Sequence, residues 1–317
     1  DRGRFRPLPL PVESGRACHS SSWVLIGCET TSPLLSVRQC CLLALVLPSV
    51  SCFSPPLAPA NPFASYSNRR FHATPVTMVE GHSVHRVAAS HRKLLVGKTF
   101  KATSPNGRFT AGAAAIDGQP FHSIEAVGKN LFAFFGTTAG ALAVVHVHFG
   151  MAGVWAVFDP RKEEVPGTTD TTRLCLEHAE SGMVSHLSAM TVQLGDEDFY
   201  RAKRAGLGHD PLRDDADPDH LFERVSGSSK SIGALLMDQS YFCGPGNIYR
   251  AEILFKAGLH PNTPGREVGR ARFDLVWGHT VDLLRRGFQT GSILTVDPAE
   301  AAALGNPKLR RYIYNSA

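Results

Sequence analysis

The spacing of apolar residues changes once along this chain, and that change limits what it can fold into. One amphipathic stretch comes first, over 82–95, with Val84, Val87, Ala88, Leu94 and Leu95 at helical intervals. Short strand-like segments follow at 99–104, 109–116, 119–127, 131–136, 143–149 and 153–158, with further apolar runs at 174–176 and 190–194. Turn signals such as Pro105-Asn106-Gly107 and Asp117-Gly118 separate them. From 231 onward the period is helical. Ile232, Leu235, Leu236 and Gln239 fit one helix, Ile248, Ala251, Ile253, Leu254 and Phe255 a second, and 273–284 a third. The pattern predicts an α+β chain: an edge helix and an antiparallel β-sandwich over 78–202, then a mostly helical domain over 231–317. Residues 203–230, polar and acidic through Arg213-Asp214-Asp215-Ala216-Asp217-Pro218-Asp219, read as the linker.

The first 77 residues do not share this order. They hold seven Arg, no Lys and three acids, so they contribute +4 of the net charge of +5. A nucleic-acid face on the remainder must therefore be a local patch. Five of the seven cysteines lie here as well, and the other two, Cys175 and Cys243, are far apart. Neither a disulfide framework nor a Cys-x-x-Cys zinc pair is present, which suits reduced thiols. The apolar run 40–50 has the length of a signal-peptide core, and 53–77 lack acids and are rich in Ser and Pro. Two readings stay open: a two-part organelle address, plastid or other, or upstream sequence translated ahead of the true start. With the second, the nucleus is the alternative location.

Three motifs carry chemistry. Met78-Val79-Glu80-Gly81 reads as a protein start, with an amine beside a carboxylate at the head of a helix. A free α-amino group titrates at about 7.7–8.0, so part of it is neutral and nucleophilic near neutral pH. The alternative is an internal Met followed by an acid at a helix terminus. Gly128-Lys129-Asn130 lies between two strand segments, so Lys129 either offers a point charge to a phosphate or is a solvated turn residue. In the third, two helices meet at Cys243-Gly244-Pro245-Gly246-Asn247-Ile248-Tyr249-Arg250. Gly244 and Gly246 permit close backbone approach, and Asn247 sits where a helix N-cap belongs. Backbone N–H groups and an amide at such a turn suit a phosphate; a plain helical hairpin is the alternative. His146 and His148 share a strand face and form half of a metal site with no third ligand in view.

Taken in order, these segments resemble the formamidopyrimidine-DNA glycosylase and endonuclease VIII family, with a flavour closest to bacterial endonuclease VIII. The likeness runs from Met78 to about Tyr312. It also rests on Ser104-Pro105-Asn106-Gly107-Arg108-Phe109, Gly128 to Phe132, His146 to Met151, and Gly208-His209-Asp210-Pro211-Leu212. The resemblance implies Val79 as amino-terminal nucleophile, Glu80 as catalytic carboxylate and Lys129 as the phosphate-binding lysine of the β-hairpin. It implies Asn247, with Gly244, Gly246 and Arg250 beside it, at the DNA phosphates, and Met151 in the gap left by an extruded nucleotide. It implies damaged double-stranded DNA as partner, a monomer, no membrane, and no cofactor or metal in the reaction.

Three departures qualify it. Val79 stands where most members have Pro, the chain stops at Ala317 where most relatives begin a zinc finger, and Pro245 removes one N–H from the turn. The expected activity is a bifunctional glycosylase and AP lyase for oxidised bases. A catalytically inactive nucleic-acid-binding protein of the same fold is the rival, and a metal hydrolase built on His146 and His148 a weaker third. The endonuclease VIII flavour suggests oxidised pyrimidines, whereas Met151 resembles the purine-repair branch. A loop near 287–303 is expected to contribute to base choice.

Overall fold

The computed structural model describes residues 79–306 and 309–314. The amino-terminal extension and Met78 lie outside the described residues.

Helix α1 (Gly81–Leu95) buries Val84, Ala88 and Leu95, the residues whose spacing marks it. Eight strands follow. β1 (Lys101–Thr103), β6 (Thr172–Glu177), β7 (Val184–Ser188) and β5 (Val154–Phe158) form one sheet in that order. β2 (Phe121–Val127), β3 (Asn130–Phe135), β4 (Ala143–His148) and β8 (Thr191–Gly195) form the other, and every pairing is antiparallel. Phe121, Leu131, Phe135 and Val145 from one sheet meet Trp155, Leu174 and Leu187 from the other, with α1 closing the same core. This is the expected sandwich with its edge helix.

β3 reads Asn-Leu-Phe-Ala-Phe-Phe because both of its faces are covered. Leu131, Ala133 and Phe135 point into the first core, while Phe132 and Phe134 pack with Val144, Cys243 and Tyr200 on the far side. Val127 pairs with Asn130, so β2 and β3 join through a two-residue turn. Gly128 takes φ +57° at its first position, the hand that matches strand twist.

One expected strand is a helix, and one observed strand lies outside the expected set. Residues 109–116 are not a strand; α2 (Thr110–Ile116) occupies them. The segment is rich in Ala, and Phe109, Ala113 and Ile116 are buried at helical intervals. β7 escapes the pattern because Val-Ser-His-Leu-Ser carries only two apolar residues in five.

Residues 203–230 are more ordered than a linker. They take in the end of α3 (Glu197–Ala205) and all of α4 (Pro218–Ser226), whose Leu221 and Val225 belong to a second core. Asp217 caps α4 by accepting from the Asp219 and His220 N–H groups, with Pro218 at the first position. The acidic run is thus partly helix-start chemistry and partly pairing, since Asp215 bridges Arg204 and Arg213.

The second core gathers Leu235, Tyr249, Ile253, Phe273 and Leu283 from α5 (Ile232–Leu235), α6 (Asn247–Lys256) and α7 (Arg270–Thr290). α5 is a single turn and ends well before Gln239. α8 (Pro298–Ala303) follows α7. Among the described residues no helix is long and apolar enough to cross a membrane.

Candidate active site

Three chain segments far apart in sequence converge on Glu80. It occupies the N-cap position of α1 with extended backbone, φ −119° and ψ 161°, but makes no side-chain cap bond to its own helix. Its side chain is 1 % exposed and lies 3.2 Å from Lys129 Nζ across the β2–β3 turn. The N–H groups of Ile248 and Gly246, at the start of α6, also face it. Burial wins over these partners and pushes the carboxyl up to about 7, although Lys129 first, and then the two backbone groups, pull it down. The group is therefore far easier to protonate near neutral pH than an exposed glutamate.

Both glycines of the α5–α6 turn have steric reasons. A Cβ on Gly246 would overlap Lys129 Nζ and both Glu80 carboxylate oxygens. Gly244 has φ +127°, and its carbonyl accepts from Gly81 N–H at 2.9 Å, so the turn is laced to the residue after Glu80. Gln239 holds the turn from beneath: its Oε1 accepts from Gly244 N–H at 2.9 Å and its Nε2 donates to the Pro245 carbonyl at 3.1 Å. Pro245 removes one donor, as expected, but the groups that reach Glu80 come from Gly246 and Ile248. The N-cap of α6 is Gly246, not Asn247, which is the first helical residue. Asn247 is half-buried, and its side-chain oxygen accepts from Arg250 Nη2.

Lys129 is positioned by a residue that belongs to a sequence motif but has no role evident from it. Asp210 is 1 % exposed; its Oδ2 accepts from Gly128 N–H at 2.6 Å and lies 2.7 Å from His85 Nε2 on α1. Its Oδ1 accepts from Leu212 N–H at 2.9 Å. One buried carboxylate therefore ties the lysine-bearing turn, the first helix and the 208–212 segment together. Gly128 is pressed against the helical hairpin too, since a Cβ there would overlap Cys243 Sγ and stand 2.8 Å from Gly244 N.

Val79 precedes Glu80 directly and is half-buried against the first core. Met151, just after β4, is 75 % exposed. His146 stacks on Phe132 with ring centroids 5.0 Å apart, and its Nε2 lies 2.9 Å from the Asn130 side-chain oxygen. Burial holds it down at about 4, so it is a neutral core histidine. Among the described residues no group of three or more His, Cys, Asp or Glu side chains is placed to hold a metal ion.

A buried carboxyl with raised proton affinity, a lysine ammonium beside it and two backbone N–H groups directed at it suit a reaction that moves a proton next to an anionic group. Residues 78–188 match the formamidopyrimidine-DNA glycosylase N-terminal domain, and 207–297 match the formamidopyrimidine-DNA glycosylase H2TH domain. The chain is 36 % identical over 245 residues to Endonuclease 8 1 of Mycobacterium tuberculosis, covering 76 % of this chain and 89 % of that protein. It is 30 % identical over 194 residues to the formamidopyrimidine-DNA glycosylase of Bdellovibrio bacteriovorus, covering 60 % and 67 %. Its fold is similar to that of the Lactococcus lactis Fpg protein solved with DNA containing an abasic site, with TM-score 0.58 at 20 % identity, covering 67 % of this chain and 79 % of that one.

Proposed function

The chain belongs to the formamidopyrimidine-DNA glycosylase and endonuclease VIII family of DNA repair glycosylases, and from that premise we propose that it is a bifunctional glycosylase and AP lyase whose nucleophile is the amine of Val79. The observation that carries this reading is the buried Glu80 carboxyl, held near neutrality beside Lys129 and one residue from Val79.

The damaged nucleotide leaves the duplex at a cost of about a few kcal/mol, least for a weakened pair. The neutral Val79 amine attacks C1′, and the glycosidic bond breaks with its electron pair leaving on the base, which takes up a proton. The Glu80 carboxyl gives its proton to the ring oxygen, the ring opens, and the nitrogen loses a proton to leave an imine between Val79 and C1′. Protonation of that imine acidifies C2′–H. Loss of this proton expels the 3′ phosphate by β-elimination, and a second elimination releases the 5′ phosphate. Lys129 steadies the departing phosphate as a point charge. Asn247 and Arg250, with the Gly244–Gly246 turn, grip the backbone beside the lesion, and exposed Met151 fills the space vacated by the nucleotide. Oxidised bases are the substrate class. No metal takes part in these steps.

Val79 must have a free amine. The test uses the full chain with a specific protease site ending at Met78, cut after folding. Incubated with a duplex carrying an abasic site and borohydride, the cut protein is expected to form a covalent adduct. The uncut protein should bind the same duplex without forming one. No adduct from the cut protein would refute the reading and leave only a nucleic-acid-binding protein.

A further inference from the structure

The first turn of α1 carries a histidine that the chemistry above does not use. His82 is 4 % exposed, and its Nδ1 lies 3.1 Å from the hydroxyl of Tyr249, which is fully buried on the first turn of α6. The two rings meet edge to face at 5.5 Å. α7 closes over the contact at Gly287, where a Cβ would overlap the Tyr249 hydroxyl and stand 2.8 Å from His82 Cγ. Burial keeps the imidazole neutral, down at about 3, and holds the phenol well above its usual range. A buried neutral pair with one shared hydrogen bond is a fastener rather than an acid or a base.

Its place in the chain says what it fastens. His82 is two residues after Glu80, and Tyr249 follows Ile248, whose N–H faces the Glu80 carboxylate. The Gly81–Gly244 hydrogen bond crosses the same junction from the other side. We propose that the His82–Tyr249 hydrogen bond is a positioning device that locks the starts of α1 and α6 together, so that Glu80 keeps the Gly246 and Ile248 N–H groups and Lys129 within reach. This rests on the family reading of Glu80 given above. The other charged or titratable groups about the junction are Lys129 in the β2–β3 turn and His85 and Arg86 further along α1.

Three substitutions separate the bond from mere bulk. Tyr249→Phe removes the hydroxyl and His82→Leu removes the ring nitrogen. His82→Asn keeps an amide atom near the place of Nδ1, able to accept or donate. In the cut protein at saturating enzyme, the single-turnover excision rate constant should fall by about tenfold in Tyr249→Phe and His82→Leu, with the reacting amplitude kept. His82→Asn should stay within about threefold of the parent. The pH midpoint assigned to Glu80 should move up in the two damaged variants, because the groups that oppose its burial are loosened. A purely structural role would lower the amplitude and leave the rate constant and midpoint alone.

A second measurement does not depend on activity. In the uncut full chain, hydrogen exchange at the Gly81, Gly246 and Ile248 amides should quicken by about tenfold in Tyr249→Phe, while Val145 and Val147 in β4 stay protected. Unchanged exchange at those three amides overturns the inference, as does a rate constant within about twofold of the parent. Loss in His82→Asn equal to that in His82→Leu also overturns it. A parent protein that forms no adduct while Tyr249→Phe still loosens the junction would sink the family mechanism and spare the fastener.

Discussion

Replacing Glu80 with Gln should make the protein more stable with rising pH relative to its parent, and the size of the effect follows from burial. The Glu80 carboxyl moves from its usual 4.5 up to about 7 on folding. Over that interval the folded chain holds a proton that the unfolded chain has released. Stability then falls as pH rises through the window, and the penalty is complete above the folded value. A tenfold gain in proton affinity on folding is worth about 1.4 kcal/mol, so the carboxylate costs the fold about 3 kcal/mol at pH above 7 and nothing below the unfolded value. Lys129 is already inside this figure, because its attraction is among the forces that hold the value as low as 7. Glutamine fills the same space and does not titrate. The stability of Glu80→Gln minus that of the parent should therefore climb by about 3 kcal/mol between about pH 4 and about pH 8, whatever its starting offset. Urea unfolding at a series of pH values measures it, with equal m-values as the check on two-state behaviour. Lys129→Ala provides the internal control, since losing the ammonium should carry the midpoint further above 7. A difference that stays flat with pH would show that water reaches the carboxylate, and the argument for a proton held near neutrality would fail with it.

Other perturbations test single contacts. Gly246→Ala drives a methyl group into Lys129 and Glu80; excision in a single-turnover assay should fall by about a hundredfold, as small displacements of reacting groups do. Met151→Ala removes a side chain that is 75 % exposed, so thermal unfolding should be unchanged while excision slows, and a loss of stability would contradict its role outside the core. Glu252 is fully buried, and its two oxygens accept from the Thr295 hydroxyl and the N–H groups of Tyr312, Ile313 and Tyr314. Glu252→Gln turns an amide toward donors, so it should cost about 3 kcal/mol and expose those three amides to hydrogen exchange before any strand amide.

The elements that sequence reveals are those whose periodicity is dictated by one buried face. α1 and α7 declare themselves in this way because each packs a stripe at helical spacing into a core. α2 passes for a strand because an apolar run of eight residues is too short for its period to be told by eye. The site divides along similar lines. The residues proposed to meet the substrate stand in short motifs, so Glu80, Lys129 and the Gly244–Asn247 turn are legible one at a time. What joins them is not. Asp210, Gln239, His82 and Tyr249 act through contacts between segments more than a hundred residues apart or across a turn, and no local pattern encodes those contacts.

Gly246 shows the limit most sharply. Read from sequence, Gly244 and Gly246 carry one and the same reason, close backbone approach. At Gly246 φ is −130° and ψ −158°, extended geometry open to any residue. The constraint is the space in front of the missing side chain, filled by a carboxylate and an ammonium from two other segments. Gly244, two residues earlier, is a glycine for a different reason, with φ at +127°. Neighbouring letters of one motif thus answer to different physics, one to the chain's own dihedral and one to the partners it must admit. Alanine at 244 should therefore strain the fold first, and alanine at 246 should disarm Glu80 first.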